Sequence, residues 1–489
     1  MTKTKLYLML TMLLLNGILA FGQVNIKNGD FEQLDKTSPV HAFGWNTEYA
    51  FEQGGIDSTI VWKGKYSMHL KKESSGTGRF YQSIPFQSDR LRKFRISGAI
   101  KTHSINEHHA AIFARSTDSS GNVICYQNMR MQSSELSGSS DWKIYQGYFY
   151  VTQNVVEIKV GGFVWGAGEA WFDEIRIDEI PLSMGRLAPK IGKYIDEYFE
   201  VIKAKSVIRD SSYINQLKSN ARALCTETED MDECHFILKN ITFNLNDGHS
   251  FFSTPHEWKE MHDGDENLRK GDAHFSSGEI IDGNIAYIHV PTFASVDREL
   301  VRRSVDSLQT LIQKLDNLNP KGWIIDLSTN SGGNSFAMIP GLGPLLGNGP
   351  CGFSISADGS KMTLIYNEGL AGWDEHLDTL KTDPYHVRNP SLPIAVIYGN
   401  KTASSGEATA LAFRGKENCR SFGQETGGYT TRIDNCILSD SASINLASGY
   451  KADRNGIIFK GTKIPPDVPT NNHDEAIIMA TEWILSKKE

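Results

Sequence analysis

The chain has 489 residues, 39% hydrophobic and 22% charged, with a formal net charge of −8 at pH 7. That length exceeds one ordinary core and suggests roughly three domains. The composition excludes a fibre or a wholly disordered chain. The lack of a long Lys/Arg run argues against nucleic acid as the main partner.

Taken in chain order, Lys3 and Lys5 precede "LYLMLTMLLLNGILAFG", an apolar run that ends in small residues. This is a secretory signal pattern over 1–22, with cleavage after Ala20 or Gly22. A membrane anchor is the alternative, because the run is only slightly short of a spanning helix. No later segment approaches spanning length. The expected location is therefore exported, periplasmic or extracellular, with no membrane span after cleavage. The six cysteines are too few for a disulfide scaffold, and no Cys/His spacing suggests a metal site. An oxidising compartment would permit Cys225 to bridge Cys234, or Cys419 to bridge Cys436.

Residues 23–180 read as all-β. Short runs such as "RFYQSIPF", "KFRISGAI", "WKIYQGYFYV" and "VEIKVGGFVW" alternate with Gly, Ser, Asn and Asp clusters, the turn chemistry of a sandwich. The bookends "NGDFEQLD" and "GEAWFDEIRIDEI" resemble those of jelly-roll modules that often bind carbohydrate. Trp45, Trp142, Trp165 and Trp171 are available either to stack on sugar rings or to fill the sandwich core.

Residues 186–270 change character. Ile191, Tyr194, Ile195, Tyr198, Phe199 and Ile202 follow helical spacing, and "YINQLKSNARALC" and "CHFILKNITFNL" continue it. This helical segment ends at the turn "DGHS". From 275 to 489 apolar strands alternate with helices: "GNIAYIHVPTF", "DRELVRRSVDSLQTLIQKLDNL", "KGWIIDLS", "PIAVIYGN". That order predicts an α/β domain with a partly parallel sheet, whose sites form at the carboxyl ends of strands. "STNSGGN" and "KTASSGE" sit at two such ends.

Three stretches can carry chemistry. Ser404 stands at a strand-to-helix turn, where backbone N–H groups and the positive helix end favour a developing oxyanion. Ser404-x-x-Glu407 is equally a capping box, in which the serine serves only the helix. Gly332 and Gly333 form a turn or supply an oxyanion donor. His249 is a candidate general base, with Asp247 or Ser250 nearby to orient it.

In order, "DGHSFF", "GWIIDLSTNSGGN" and "VIYGNKTASSGEATALAFRG…FGQETGGYTT" resemble the tail-specific, or C-terminal processing, serine protease family and its tricorn-core-like relatives. The resemblance covers about residues 186–480 and implies a ClpP/crotonase-like protease core. It implies Ser404 as nucleophile, Ser405 and Gly332 or Gly333 as backbone oxyanion donors, and His249 as base. Ser405 is the alternative nucleophile. Many family members carry a basic lysine where this chain has Tyr429, and Lys416 and Lys451 are out of register. The acidic partner of the tricorn-like branch has no match, since its register holds Lys460. Asp453 is the nearest upstream acid and the expected orienter of His249, with Asp247 as the local alternative. The stretch "STPHEWKEMHDGDENLRKGDAHFSS" is too short for the peptide-binding module many relatives insert there.

The expected function is thus an exported, cofactor-free, metal-free serine peptidase acting on a peptide or protein, with a glycan as a further partner of the N-terminal module. The alternatives are an ester hydrolase on the same site and an inactive protease fold acting as a secreted carbohydrate-binding protein.

Overall fold

The computed structural model describes residues 24–487 except 37–41, 49–52, 75, 107, 131–134, 183–184, 264–273 and 380. The expected signal segment lies outside the described residues. The chain forms two compact units, one of residues 1–193 and 216–244 and one of 194–215 and 245–489. The helical stretch 186–270 is thereby divided between them.

The first unit is a sandwich of two five-stranded sheets. One has the spatial order Asn46–Glu48, Thr77–Pro85, Val155–Trp165, Ala110–Asp118, Val123–Gln127; the other Gln53–Asp57, Ser67–Lys72, Gly168–Ile180, Arg92–Ile105, Gly138–Val151. All pairings are antiparallel. Alternating side chains point inward, and Phe80 of one sheet meets Phe172 of the other edge-on at 5.3 Å. Two helices, Ser211–Leu224 and Met231–Phe243, follow; the second is capped by Asp230, whose side chain accepts from Asp232 N.

The second unit is built on a six-stranded sheet. Its strands are Ser277–Ile281, β1 (Ile285–His289), β2 (Trp323–Asp326), β3 (Ile394–Tyr398), β4 (Cys419–Gly423) and Val468–Pro469, parallel except for the first pair. The apolar runs of β2 and β3 need two covered faces, and they have them. Trp323, Ile325, Ile394 and Val396 pack on one side against α1 (Arg298–Asp316) and α2 (Ser405–Phe413), while Ile324, Ala395 and Ile397 meet Ala476, Ala480 and Ile484 of α3 (His473–Ser486) on the other. Helix α1 starts where Asp297 accepts from Glu299 N and Leu300 N, and it buries Val301, Val305, Leu308, Ile312 and Leu315 at helical spacing.

An antiparallel sheet of eight strands, not anticipated from the sequence, completes this unit. Its short strands alternate weakly and leave little periodic signal. Two matter for the site. Strand β5 (Thr431–Ile437) and strand β6 (Ser443–Ala452) pair in antiparallel register, Thr431 opposite Tyr450. Strand β6 also pairs with Phe251–Ser253, just after the "DGHS" turn.

Candidate active site

Strand β3 ends at Tyr398, and the chain reaches α2 through Gly399–Ser404. Thr402 stitches this loop to β2, donating its hydroxyl to Leu327 O at 2.7 Å. Ala403 N–H donates to Asn330 O at 3.0 Å. Ser404 takes φ 51° and ψ −110°, a backbone region that costs a side-chain-bearing residue about 1–3 kcal/mol and is held only where the surroundings over-determine it. The surroundings do so at both ends. Ser404 N–H donates to Glu407 Oε2 at 2.9 Å, and Ser404 O accepts from Lys451 Nζ at 2.8 Å.

Glu407 is fully buried. Its other oxygen accepts from Gly428 N–H at 2.8 Å and from the Thr426 hydroxyl at 2.5 Å. One carboxylate thus ties the serine turn to the downstream "QETGGY" loop. The return half of a capping box is formed, yet the Ser404 hydroxyl points to a histidine: Oγ lies 3.0 Å from His249 Nε2. Ser404 and His249 are half-buried, so the hydroxyl remains reachable.

His249 is delivered by a rigid turn. Asp247 Oδ1 accepts from His249 N–H and Ser250 N–H at 2.9 and 2.7 Å, and Oδ2 accepts the Ser250 hydroxyl at 2.6 Å. Ser250 Oγ in turn accepts from Ala447 N–H of β6 at 2.8 Å. Asp247 therefore shapes the turn through backbone groups, and its recorded partners do not include the imidazole ring.

The ring's other nitrogen, Nδ1, lies 2.6 Å from Thr431 Oγ1. Thr431 is buried, and the sequence reading did not name it. Asp453, the acid expected in that position, is elsewhere. Strand β6 ends one residue before it, and its Oδ1 closes the following turn, accepting from Asn455 N–H and Ile457 N–H at 2.9 Å each. Its Oδ2 lies 3.6 Å from Arg414 Nε. The contacts of Asp453 are to the following turn and to Arg414, and none is to His249, whose Nδ1 meets Thr431 instead.

Lysine 451 also needs correcting. It is out of register in sequence, but the pairing of β6 with β5 brings it back to the serine. Its Nζ donates to Ser404 O and reaches Tyr429 O at 3.5 Å. Burial, partly offset by the Glu407 charge, pushes its ammonium down to about 8. Burial and then the Lys451 charge lower His249 to about 3, so the imidazole is neutral at neutral pH. Tyr429 stands edge-on to the His249 ring at 5.3 Å.

The two glycines divide. Gly332 N–H donates to Asn330 Oδ1 at 2.9 Å, so this expected oxyanion donor is engaged. Its φ is 110°, and a Cβ there would sit 2.8 Å from Ser404 Cβ and 3.0 Å from Ser405 N. Only glycine allows that approach. Gly333 N–H has no recorded acceptor among the described residues, and its carbonyl accepts the Ser405 hydroxyl at 2.7 Å. The hydroxyl of Ser405, the alternative nucleophile, is thereby turned away from His249. Asn330, fully buried and also missed, joins the strand ends by donating to Val290 O and Pro291 O at 3.0 and 2.9 Å.

In the sandwich unit, Trp45 packs on Phe31 and Phe80, and Trp171 is buried against His69. Trp142 lies beside Trp62. Trp165 is 37% exposed and lines a cavity of about 530 Å³ with Tyr126, Phe113, Phe163 and Arg79. No group of three or more candidate metal ligands occurs among the described residues, and none of their helices is long and apolar enough to cross a membrane.

Comparison with known proteins bears on the α/β core. The model of peptidase family S41 matches residues 284–470. A nisin-resistance protein of Lactococcus lactis subsp. lactis is 32% identical over 209 residues, 42% of this chain and 62% of that protein. An uncharacterized HTH-type transcriptional regulator of Bacillus subtilis (strain 168) is 29% identical over 140 residues, 28% of this chain and 46% of its own length. The chain thus spans less than two thirds of either curated relative. The solved structure of a lipoprotein from Streptococcus agalactiae is 25% identical, with TM-score 0.53, over 62% of this chain and 99% of that one. The α/β core, its ordered motifs and the match over residues 284–470 together make this stretch of the chain similar to peptidase family S41.

Proposed function

We propose that the chain is an exported serine peptidase in which Ser404 is the nucleophile and His249 the base. The observation that carries this reading is the 3.0 Å approach of Ser404 Oγ to His249 Nε2 at a strained strand-to-helix turn. With Nε2 accepting from the serine, Nδ1–H donates to Thr431 Oγ1. Oγ attacks the peptide carbonyl carbon as its proton passes to Nε2, and the carbonyl π pair moves onto oxygen. The N–H groups of Ser405 and Gly333 receive that oxyanion. Collapse expels the amine, which takes the proton from Nε2–H. Water then attacks the acyl-enzyme by the same route, releasing the acid and the free serine.

The peptide substrate class follows from the S41 match. The exported location is supported by the 1–22 pattern and by the likeness to a lipoprotein of Streptococcus agalactiae. A glycan held by the sandwich unit is the second reading, supported by the cavity in which Trp165 and Tyr126 expose ring surface.

Hydrolysis of a peptide library by the purified chain, followed as new N-termini, tests the reading. Ser404→Ala is expected to abolish turnover, and His249→Ala to lower kcat by about 10²–10⁴-fold, the scale of general-base catalysis. The base must be neutral, and burial holds His249 down at about 3. The kcat/KM profile should therefore stay flat as pH falls through 6.5, the ordinary histidine value. Hydrolysis that survives in Ser404→Ala would contradict the assignment, whereas an acid limb centred at the ordinary value would show that burial does not hold the base down.

A further inference from the structure

Lys451 is a buried cation to which acyl transfer by Ser404 and His249 assigns no step. Its Nζ donates to Ser404 O at 2.8 Å. That carbonyl belongs to the same peptide unit as Ser405 N–H. A trans peptide is planar, with its C=O and N–H pointing in opposite directions. Holding one end therefore sets the direction of the other. Resting on the Ser404–His249 reading, we propose that Lys451 is a positioning residue that grips the carbonyl of Ser404 and so aims the Ser405 N–H at the oxyanion.

Three further observations support this. Ser404 has ψ −110°, and ψ is the torsion that turns its carbonyl; a side-chain-bearing residue does not settle there unaided. The opposite side of the residue is pinned separately, by Glu407 on Ser404 N–H, and the Ser404 carbonyl accepts both from Lys451 and from Ala408 N–H of α2 at 3.0 Å, so the ammonium and the first helical bond together fix the 404–405 plane. An ammonium on a carbonyl also polarises the peptide and strengthens its N–H as a donor. The titratable groups facing Lys451 are Glu407 from α2, which favours the ammonium, and the neutral His249 from the 245–250 turn, whose protonation the ammonium opposes. Tyr429 from the preceding loop offers its carbonyl, and Asp453 at the end of the same strand is turned to Arg414.

The test compares wild type, Lys451→Met and Lys451→Arg in the full chain. The readouts are the second-order rate of fluorophosphonate labelling, steady-state hydrolysis and thermal unfolding. Lys451→Met should lower labelling and kcat by about 10²–10³-fold, the usual loss for one oxyanion donor, with KM little changed. Wild-type kcat should fall as pH rises through about 8, where Lys451 loses its proton and the bond to Ser404 O ceases to be charge-assisted. Lys451→Arg keeps a cation that does not titrate, so it should recover part of the activity and lose that alkaline limb. A purely structural lysine would leave the limb in place.

A labelled wild type beside a folded Lys451→Met that labels at the same rate overturns the inference alone. A wild type that does not label overturns the Ser404–His249 reading and the inference with it. Should Lys451→Met fail to fold, the profile of Lys451→Arg decides, and an unchanged alkaline limb there overturns the proposal.

Discussion

At the scale of single residues, the arrangement around His249 differs from the common serine–histidine–carboxylate pattern. The ring nitrogen remote from Ser404 meets a threonine hydroxyl, and the two carboxylates expected to orient the ring, Asp247 and Asp453, serve backbone groups. A neutral acceptor fixes the tautomer and the ring plane but offers little charge to the imidazolium that forms. Thr431→Val keeps the shape and removes the acceptor. One neutral hydrogen bond is worth about 1 kcal/mol net, so kcat should fall about fivefold with KM little changed. Unchanged kcat in Thr431→Val would show that Thr431 does not orient the base. This residue was illegible in the sequence because a threonine inside a strand has no positional signature. Ser404 and His249 were legible because small-residue turns at strand ends are few, and theirs came in the family's order.

At the scale of elements, sheet pairing decides what sequence register could not. Lys451 is 47 positions from Ser404 along the chain, but the β5–β6 register sets Thr431 opposite Tyr450 and draws Lys451 N–H onto Thr430 O. Asp453 fails for the complementary reason: β6 ends at Ala452, and the next carboxylate closes a turn. The parallel strands and α1 were readable from apolar runs and helical spacing, whereas the short strands between 349 and 379 carry little periodicity. Pairing also separates the two cysteine pairs that sequence proximity suggested. Cys419 lies on β4 of the six-stranded sheet and Cys436 on β5 of the eight-stranded one. Cys225 and Cys234 are buried, and the neighbouring Cys234 thiol, together with burial, pushes the Cys225 thiol up. In an oxidising compartment these two should form a disulfide, closing a short loop and contributing about 2–3 kcal/mol. Non-reducing peptide mapping should return the 225–234 cross-link, and dithiothreitol should lower Tm; two free thiols in exported protein would refute the pairing.

At the scale of the whole molecule, the site belongs to one unit: His249, Ser404, Thr431 and Lys451 all lie within residues 245–489. The S41 match spans 284–470 and so contains three of these four, while His249 precedes it. The base enters through the strand pairing of Phe251–Ser253 with β6 and through Ser250 on Ala447. The sandwich unit supplies none of these groups.

The central claim is that Ser404 is an activated nucleophile. Treating the mature chain with a fluorophosphonate and mapping the adduct by mass spectrometry tests it most directly. The account predicts one adduct, on Ser404, absent in Ser404→Ala, retained in Ser405→Ala and strongly slowed in His249→Ala. A folded wild type that takes up no label, or one labelled on Ser405, would contradict it.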